Sequence, residues 1–286
     1  MSAPTTHVAD EEFGSDGRRR RTLWTTAALL VFVLAIVVAG FWADGTAGVT
    51  SLDDRRQAPS PDAWFGTDWL GRDVFARTLV GLRLSLFVGV VAATASALIA
   101  ITLAAASAVF GRWVSAVVNW LVDLFLALPH LVLLILIAFA LGGGTKAVVI
   151  AVALTHWPTL TRVLQAQARV VVSSDYVALS RGFGRSRRFI MARHVVRHLV
   201  PHFVVGLVLL FPHAILHEAA LSFLGLGVDP SRPAIGILLS ESMRYLSSGM
   251  WWLAVLPGLC LLLLVKSVDS IGDNLRRLTD PRSHHL

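Results

Sequence analysis

Residues 84–110 of the chain read LSLFVGVVAATASALIAITLAAASAVF, a run without one charged side chain. A helix that crosses the hydrocarbon core of a bilayer needs about 20 mainly apolar residues, and this run is longer. Similar segments occupy residues 23–43, 114–141, 147–165, 199–224 and 250–266. The whole chain of 286 residues is 55% hydrophobic and only 15% charged, which is too apolar for a water-soluble domain. The sequence therefore predicts an all-α membrane protein with six transmembrane helices in one bundle.

The arginines predict how this bundle is oriented. Arg18 to Arg21 precede the first apolar segment, and eight more arginines lie between Arg162 and Arg197. Short loops rich in Lys and Arg stay in the cytoplasm, so the loop between spans four and five and both termini are predicted to be cytoplasmic. This topology explains the net charge of +7 without nucleic acid. We expect a multi-pass protein of the inner (plasma) membrane, with the lipid bilayer as a partner and no nucleic acid.

The segments outside the spans differ in composition. Residues 1–22 are polar and have little to bury, which predicts a disordered cytoplasmic tail. Residues 23–43 form the first span. Residues 44–83 form an outer loop in which tryptophans among charges favour an interfacial position. Residues 84–267 hold the other five spans, and residues 268–286 are predicted to be a cytoplasmic C-terminal tail.

The cytoplasmic loop at about residues 170–198 has the pattern of two short helices joined by a turn. Ser173 or Ser174 can cap a first helix, Gly184 can take the left-handed conformation that ends it, and Ser186 can cap a second. The apolar side chains of this loop are ringed by arginine. An exposed apolar patch with a polar rim usually marks a contact site; a helix that lies on the lipid surface is the alternative interpretation.

Four stretches resemble one family. The cytoplasmic loop is similar to the coupling loop of ABC-importer permeases, since Asp175-Tyr176-Val177 and Gly184 match it, although Ala178-Leu179-Ser180 replaces the usual Glu-Ala-Ala. Three more stretches, in the right order, look like signatures of the second permease of dipeptide, oligopeptide and nickel importers: Gly66-Thr-Asp-Trp-Leu-Gly-Arg-Asp73, Leu221-Ser-Phe-Leu-Gly-Leu-Gly227 and Asp273-Asn-Leu-Arg-Arg-Leu-Thr-Asp-Pro281.

The resemblance implies a fold, partners and an energy source. It implies a type I ABC-importer permease, a non-catalytic transport subunit that pairs with a second permease, docks two ABC ATPase subunits and receives substrate from an extracytoplasmic binding protein. The residues implied to couple to the ATPase are Asp175, Tyr176, Leu179, Arg181, Phe183, Gly184 and Arg187. The sequence has no Gly-x4-Gly-Lys-Ser/Thr loop for ATP phosphates. We expect no cofactor on this chain, and ATP and Mg²⁺ on the partner subunits.

Histidines within the spans bear on the substrate. A polar group at bilayer depth is costly and is a functional candidate by default. His213 and His217 are four residues apart and share one helix face, and neutral imidazoles at that spacing suit a divalent metal such as nickel. His156 and Glu218 complete the candidate set for the substrate path. The other interpretation is that each histidine bonds a backbone carbonyl freed by a neighbouring proline.

The same resemblance favours nickel as the substrate. Nickel-type permeases look similar in having Ser/Thr-His-Trp in span four and His-x3-His before Ser-Phe-Leu-Gly-Leu-Gly, as His156-Trp157 and His213 with His217 stand here. We expect a path for nickel, free or as a small chelate, with dipeptides or oligopeptides as the alternative. An intramembrane metalloprotease is a further alternative, but it needs a glutamate between its two histidines, whereas Glu218 follows the second.

Overall fold

The computed structural model describes residues 7–229 and 231–279, which form helices and turns without a β-strand. In chain order the helices are α1 (His7–Trp42), α2 (Val74–Val109), α3 (Arg112–Ala127), α4 (His130–Ala140), α5 (Gly144–Val172), α6 (Asp175–Gly182), α7 (Arg187–Ile190), α8 (Arg197–Phe223), α9 (Ile235–Ser242) and α10 (Trp252–Thr279). Five of these helical segments are long and apolar enough to cross a membrane, and α3 with α4 supplies a sixth span if the bent pair counts as one. The predicted all-α membrane fold is confirmed.

Helices α2 and α5 pack along each other at the centre of the bundle. The buried face of α2 carries small side chains, namely Ala92, Ala93, Ala97, Ala100 and Ala104. Small residues let membrane helices approach closely, which matters because lipid tails provide no hydrophobic drive between helices. Helix α8 packs against both α2 and α5, and α4 contacts α5 and α8. Three helices, α4, α5 and α8, therefore surround one point in the bundle.

The third predicted span, at 114–141, is broken. Helix α3 ends at Ala127, α4 begins at His130, and the two axes are bent by 97°. Leu128 is extended, with φ −85° and ψ 141°, because the residue before a proline is sterically disfavoured in the helical region. Pro129 has no N–H to donate to a preceding carbonyl, and its fixed φ suits the start of a helix. The break puts the first turn of α4 against α5 and α8.

Both ends of the chain are more helical than predicted. Helix α1 begins at His7, so helix extends through residues 7–22 of the segment predicted to be a disordered cytoplasmic tail, and that prediction stays untested. A helix that is already nucleated in the apolar span propagates into its flank at little cost, because each added residue also adds a hydrogen bond. Helix α10 continues to Thr279 into the predicted C-terminal tail. Residues 280–286 and 1–6 lie outside the described range.

The outer loop predicted at 44–83 is shorter than expected, because α2 begins at Val74. Asp73 starts this helix: its Oδ1 accepts a hydrogen bond from the backbone N–H of Phe75 at 2.7 Å, which satisfies one of the free donors of the first turn. The second span therefore begins at the end of the Gly66–Asp73 signature.

A buried ion pair fixes the outer segment to α9. Arg77 Nη1 lies 2.5 Å from Asp68 Oδ2 and 3.0 Å from Glu241 Oε2. The side chains of Arg77 and Asp68 are each only 4% exposed. This part of the segment, predicted to lie at the membrane interface, is held by tertiary contacts, while Trp64 is 66% exposed and free to lie among headgroups.

Candidate functional site

Three histidines from three helices meet beside the broken span. His130 begins α4, His156 lies in α5 and His217 lies in α8. The ring centroids of the three pairs are 4.6, 4.8 and 4.9 Å apart, and the ring planes are inclined by 77–82°. One ring nitrogen of each residue lies within 4.8 Å of the other two. We call these three residues the histidine cluster.

The hydrogen bonds of α5 bear on the alternative that His156 repairs a proline break. Pro158 has no N–H, so the carbonyl of Leu154 loses its helical donor. That carbonyl accepts a hydrogen bond from Trp157 Nε1 at 2.9 Å instead. His156 Nδ1 lies 3.0 Å from the carbonyl oxygen of Val152, which the proline does not free. The proline-repair interpretation is therefore wrong for His156.

His217 belongs to the cluster, whereas His213 does not. His217 Nδ1 lies 2.7 Å from the carbonyl oxygen of His213 and 3.3 Å from His156 Nε2. The side chain of His213 is exposed, and its Nδ1 lies 3.2 Å from the carbonyl oxygen of Leu209. The rings of His213 and His217, predicted to act as a pair, are therefore not together. His217 contacts His156 instead, because the ring of His213 is directed along its own helix.

Glu218 is engaged in the protein core and is not a member of the cluster. It is completely buried, and its carboxylate accepts hydrogen bonds from Ser85 Oγ at 2.5 Å and from Ser222 Oγ at 2.7 Å. Ser222 Oγ in turn accepts the backbone N–H of Val228 at 3.2 Å. Glu218 therefore joins α2 to the end of α8 and the turn after it, and the metalloprotease alternative loses its general base.

His130 is absent from the set predicted from sequence. No histidine stands three or four residues from it, so helical periodicity does not single it out. A usable signal was its position directly after Pro129, since His156 also lies close to a proline within a span. Only the packing of α4 on α5 and α8 brings the three rings together.

The loop predicted to be cytoplasmic forms the two expected short helices, α6 and α7. Helix α6 ends in a Schellman turn, in which the N–H of Arg185 donates to the carbonyl of Ser180 at 3.2 Å and that of Gly184 donates to Arg181 at 2.9 Å. Gly184 has φ +73°, a value that costs a residue with a Cβ atom about 1–2 kcal/mol. The left-handed turn predicted at Gly184 is confirmed.

One face of this loop is apolar and has no partner among the described residues that would cover it. The exposed residues of α6 and its turn include Asp175, Tyr176, Ala178, Leu179, Arg181 and Phe183. Phe183 is 82% exposed and Leu179 is 63% exposed. Arg187 is exposed as well, and its Nη1 donates to the carbonyl of Phe110 at 3.3 Å, which ties α7 to the end of α2. Large exposed apolar side chains with a charged rim indicate a protein contact.

Residues 96–280 match the family described as the inner membrane component of binding-protein-dependent transport systems. The chain belongs to this family of permeases. The permease is 36% identical to a putative peptide permease protein of Brucella suis over 93% of this chain and 88% of that protein. It is 34% identical to a putative peptide transport system permease protein of the same species, over 93% and 89%, and 32% identical to the dipeptide transport system permease protein of Bacillus subtilis, over 89% and 79%.

Family membership confirms the coarser expectations from sequence. The permease is a non-catalytic, multi-pass subunit of an ABC importer in the inner membrane, with the type I permease fold, and such a subunit works with ATPase and binding-protein partners. The names of these three relatives refer to peptides or dipeptides and do not mention nickel. The nickel-type branch therefore stays a prediction.

Proposed function

We propose that this permease forms part of the translocation path of an ATP-driven importer of short peptides. The observation that carries the proposal is the set of relatives, which are 32–36% identical over most of both chains and are named as peptide or dipeptide permeases. The permease pairs with a second, different permease, and an extracytoplasmic binding protein delivers the peptide. Both termini of the chain lie in the cytoplasm.

The α6–α7 loop is the part that receives energy in this proposal. Two ATPase subunits bind ATP and Mg²⁺, and this chain holds no cofactor of its own. The exposed face of α6, with Phe183 and Leu179 at its centre, docks into one ATPase, and the charges of Asp175 and Arg181 lie at the rim. Tyr176 contributes apolar area, Gly184 sets the turn, and Arg187 links the docked helices to α2. Movement of the ATPase thereby reaches the spans.

Nickel, free or chelated, is the second candidate substrate. The observation in its favour is that two histidines of the predicted path, His156 and His217, approach to 3.3 Å between ring nitrogens. Imidazole nitrogen suits nickel and other first-row divalent metals. His213 and Glu218 of the predicted set carry less weight here, because the first is turned to the surface and the second is bound to two serines.

A competition experiment in proteoliposomes tests the two substrates. The complete importer contains both permeases, both ATPases and the binding protein, and its ATPases lie inside the vesicles. A radiolabelled dipeptide or radioactive nickel is added outside. Uptake is measured with and without ATP in the vesicle lumen. We expect ATP-dependent dipeptide uptake that unlabelled dipeptides suppress and nickel salt does not. ATP-dependent nickel uptake that dipeptides leave unchanged would favour the second candidate, and absence of both would contradict the proposal.

A further inference from the structure

The geometry points to a metal-binding site: we propose that His130, His156 and His217 together bind one first-row divalent transition-metal ion, of the nickel or zinc class. This goes beyond the proposed function, because such an ion can bind here whether the cargo is a peptide or a metal. Imidazole is the commonest protein ligand for these ions, and a cluster of polar rings inside a membrane bundle needs a compensating partner.

The hydrogen bonds show which nitrogens are available. The carbonyl oxygens of Val152 and His213 can only accept, so Nδ1 of His156 and Nδ1 of His217 carry the proton in these contacts. In the neutral imidazole the lone pair is then on Nε2. Metal-bound histidines almost always donate their other N–H to a carbonyl or a carboxylate in this way. In both rings Nε2 is therefore the nitrogen that can bind a metal, and Nε2 of His156 lies on the side of the cluster, 3.3 Å from Nδ1 of His217.

The third ring has a nitrogen to spare. The ring of His130 makes no hydrogen bond to a residue in the described ranges 7–229 and 231–279, and the residue is half-buried. Its ring packs edge-on against both other rings, 4.6 Å from His156 and 4.8 Å from His217 between centroids. As the first residue of α4, it is held in place by the break at Pro129. A metal ion satisfies this ring without any rearrangement of the backbone.

The distances suit a small ion. Nitrogens bound at about 2.0–2.1 Å to a tetrahedral metal lie about 3.4 Å from one another. One ring nitrogen of each histidine lies within 4.8 Å of the other two, so rotation about side-chain bonds brings all three to that spacing. Three protein ligands leave at least one coordination position open. Water or a donor atom of a passing substrate can occupy that position.

The three rings could also meet only because they pack well against one another, without binding a metal. A matched substitution distinguishes metal binding from ring packing. Phenylalanine keeps an aromatic ring in the edge-to-face contacts but has no nitrogen for a metal. His130→Phe, His156→Phe and His217→Phe therefore preserve packing and remove one ligand each. His198→Phe is the control, because His198 is exposed at the cytoplasmic end of α8, outside the cluster.

The test uses the complete importer without its binding protein, in lipid nanodiscs, equilibrated with nickel chloride and desalted. Elemental mass spectrometry counts the nickel. We expect one saturable ion per permease in the wild type and in His198→Phe, and loss of that ion in each cluster variant. The proposal is overturned if the wild type retains no saturable nickel, or if His130→Phe retains as much as the wild type.

Cobalt provides a readout that does not depend on any variant assembling. We expect Co²⁺ added to the wild-type complex to show visible absorption bands of an ion bound by imidazole, and nickel to remove those bands by competition. A spectrum equal to that of aqueous Co²⁺ overturns the proposal. Peptide uptake measured on the same preparation is a separate result, so failure of metal binding and failure of the proposed peptide transport are distinguishable.

Discussion

At the scale of single residues, a helical spacing of four is a weak guide to which side chains meet. His213 and His217 share a face of α8, yet only His217 contacts the rings of His130 and His156. A side chain's rotamer and the helices that pack beside it decide this, and neither is visible in a four-residue interval. The same holds for Glu218, which is adjacent to His217 in sequence and bound to serines in the core.

We predict that His217→Ala weakens nickel binding to the importer far more than His213→Ala does. Loss of a supporting hydrogen bond behind a metal ligand typically costs 10–100-fold in affinity, so loss of the ligand itself is expected to cost at least about 100-fold. His213→Ala removes only an exposed ring that lies against its own helix, and we expect a change below about threefold on the same scale. Titration calorimetry with nickel measures both. Equal losses would contradict the assignment of the site.

We predict that Glu218→Ala destabilises the permease, whereas Glu218→Gln is tolerated. The alanine leaves the hydroxyls of Ser85 and Ser222 without their acceptor in the core, which costs about 1–3 kcal/mol for each unsatisfied group. Glutamine keeps one oxygen and the side-chain volume. The temperature at which the detergent-solubilised complex loses its native state, followed by fluorescence, measures the difference. A Glu218→Ala complex as stable as the wild type would show that this network contributes little.

At the scale of elements, two short structures connect the bundle to the solvent on either side. On the side predicted to be cytoplasmic, the Schellman turn at Gly184 sets the angle between α6 and α7, and Arg187 anchors α7 to the end of α2. On the outer side the ion pair of Arg77 with Asp68 and Glu241 joins the segment before α2 to α9. Each can be tested by a substitution at one position with a matched control nearby.

We predict that Gly184→Val uncouples ATP hydrolysis from transport. A β-branched residue at φ +73° is a strong outlier, so the turn shifts and the exposed face of α6 no longer docks in register. Gly182→Ala is the control, because Gly182 lies within α6 without a positive φ and an added Cβ meets open space. ATP hydrolysis and substrate uptake are measured side by side in proteoliposomes. Normal uptake per ATP in Gly184→Val would contradict the role of the turn.

We predict that Arg77→Ala destabilises the permease by about 1.5–3 kcal/mol, because it removes the buried charge-assisted bond to Asp68, although Arg72 Nε stays 2.7 Å from the same carboxylate. Arg83→Ala is the control on the same helix. Arg83 pairs with Asp44, whose side chain is 58% exposed, and exposed pairs contribute at most about 1 kcal/mol. Thermal unfolding of both variants in detergent gives the comparison. Similar losses for Arg77→Ala and Arg83→Ala would mean that the outer ion pair is not buried in the assembled importer.

At the scale of the whole molecule, the arginine distribution predicts which side of the membrane each loop faces. We predict that a membrane-impermeant maleimide labels Arg20→Cys only in inverted vesicles and Trp64→Cys only in intact spheroplasts. Both substitutions are made in a Cys260→Ser background, which removes the single native thiol of α10. Labelling of both sites from one side would overturn the orientation, since the first span separates them.

The spans, their approximate limits and the two short helices of the α6–α7 loop were predictable because each depends on local composition. About 20 apolar residues must form a helix in lipid, where backbone groups have no water to bond, and a glycine after a short amphipathic helix is the usual residue at a left-handed turn. The break at Leu128 and Pro129 was less predictable, because proline inside a membrane helix produces anything from a mild kink to two separate helices. Neighbouring helices decide which.

The sequence by itself therefore determined the class of the molecule and the two short helices of the α6–α7 loop, since hydrophobicity and turn chemistry act over a few residues. The orientation and the docking of that loop on an ATPase stay predictions. Only the tertiary structure decided the histidine cluster. Its members come from α4, α5 and α8, and His130 and His217 are 87 positions apart in the sequence. Their meeting depends on how far α3 and α4 bend and how closely small side chains let α5 and α8 approach. Those are properties of packing, which no local pattern specifies.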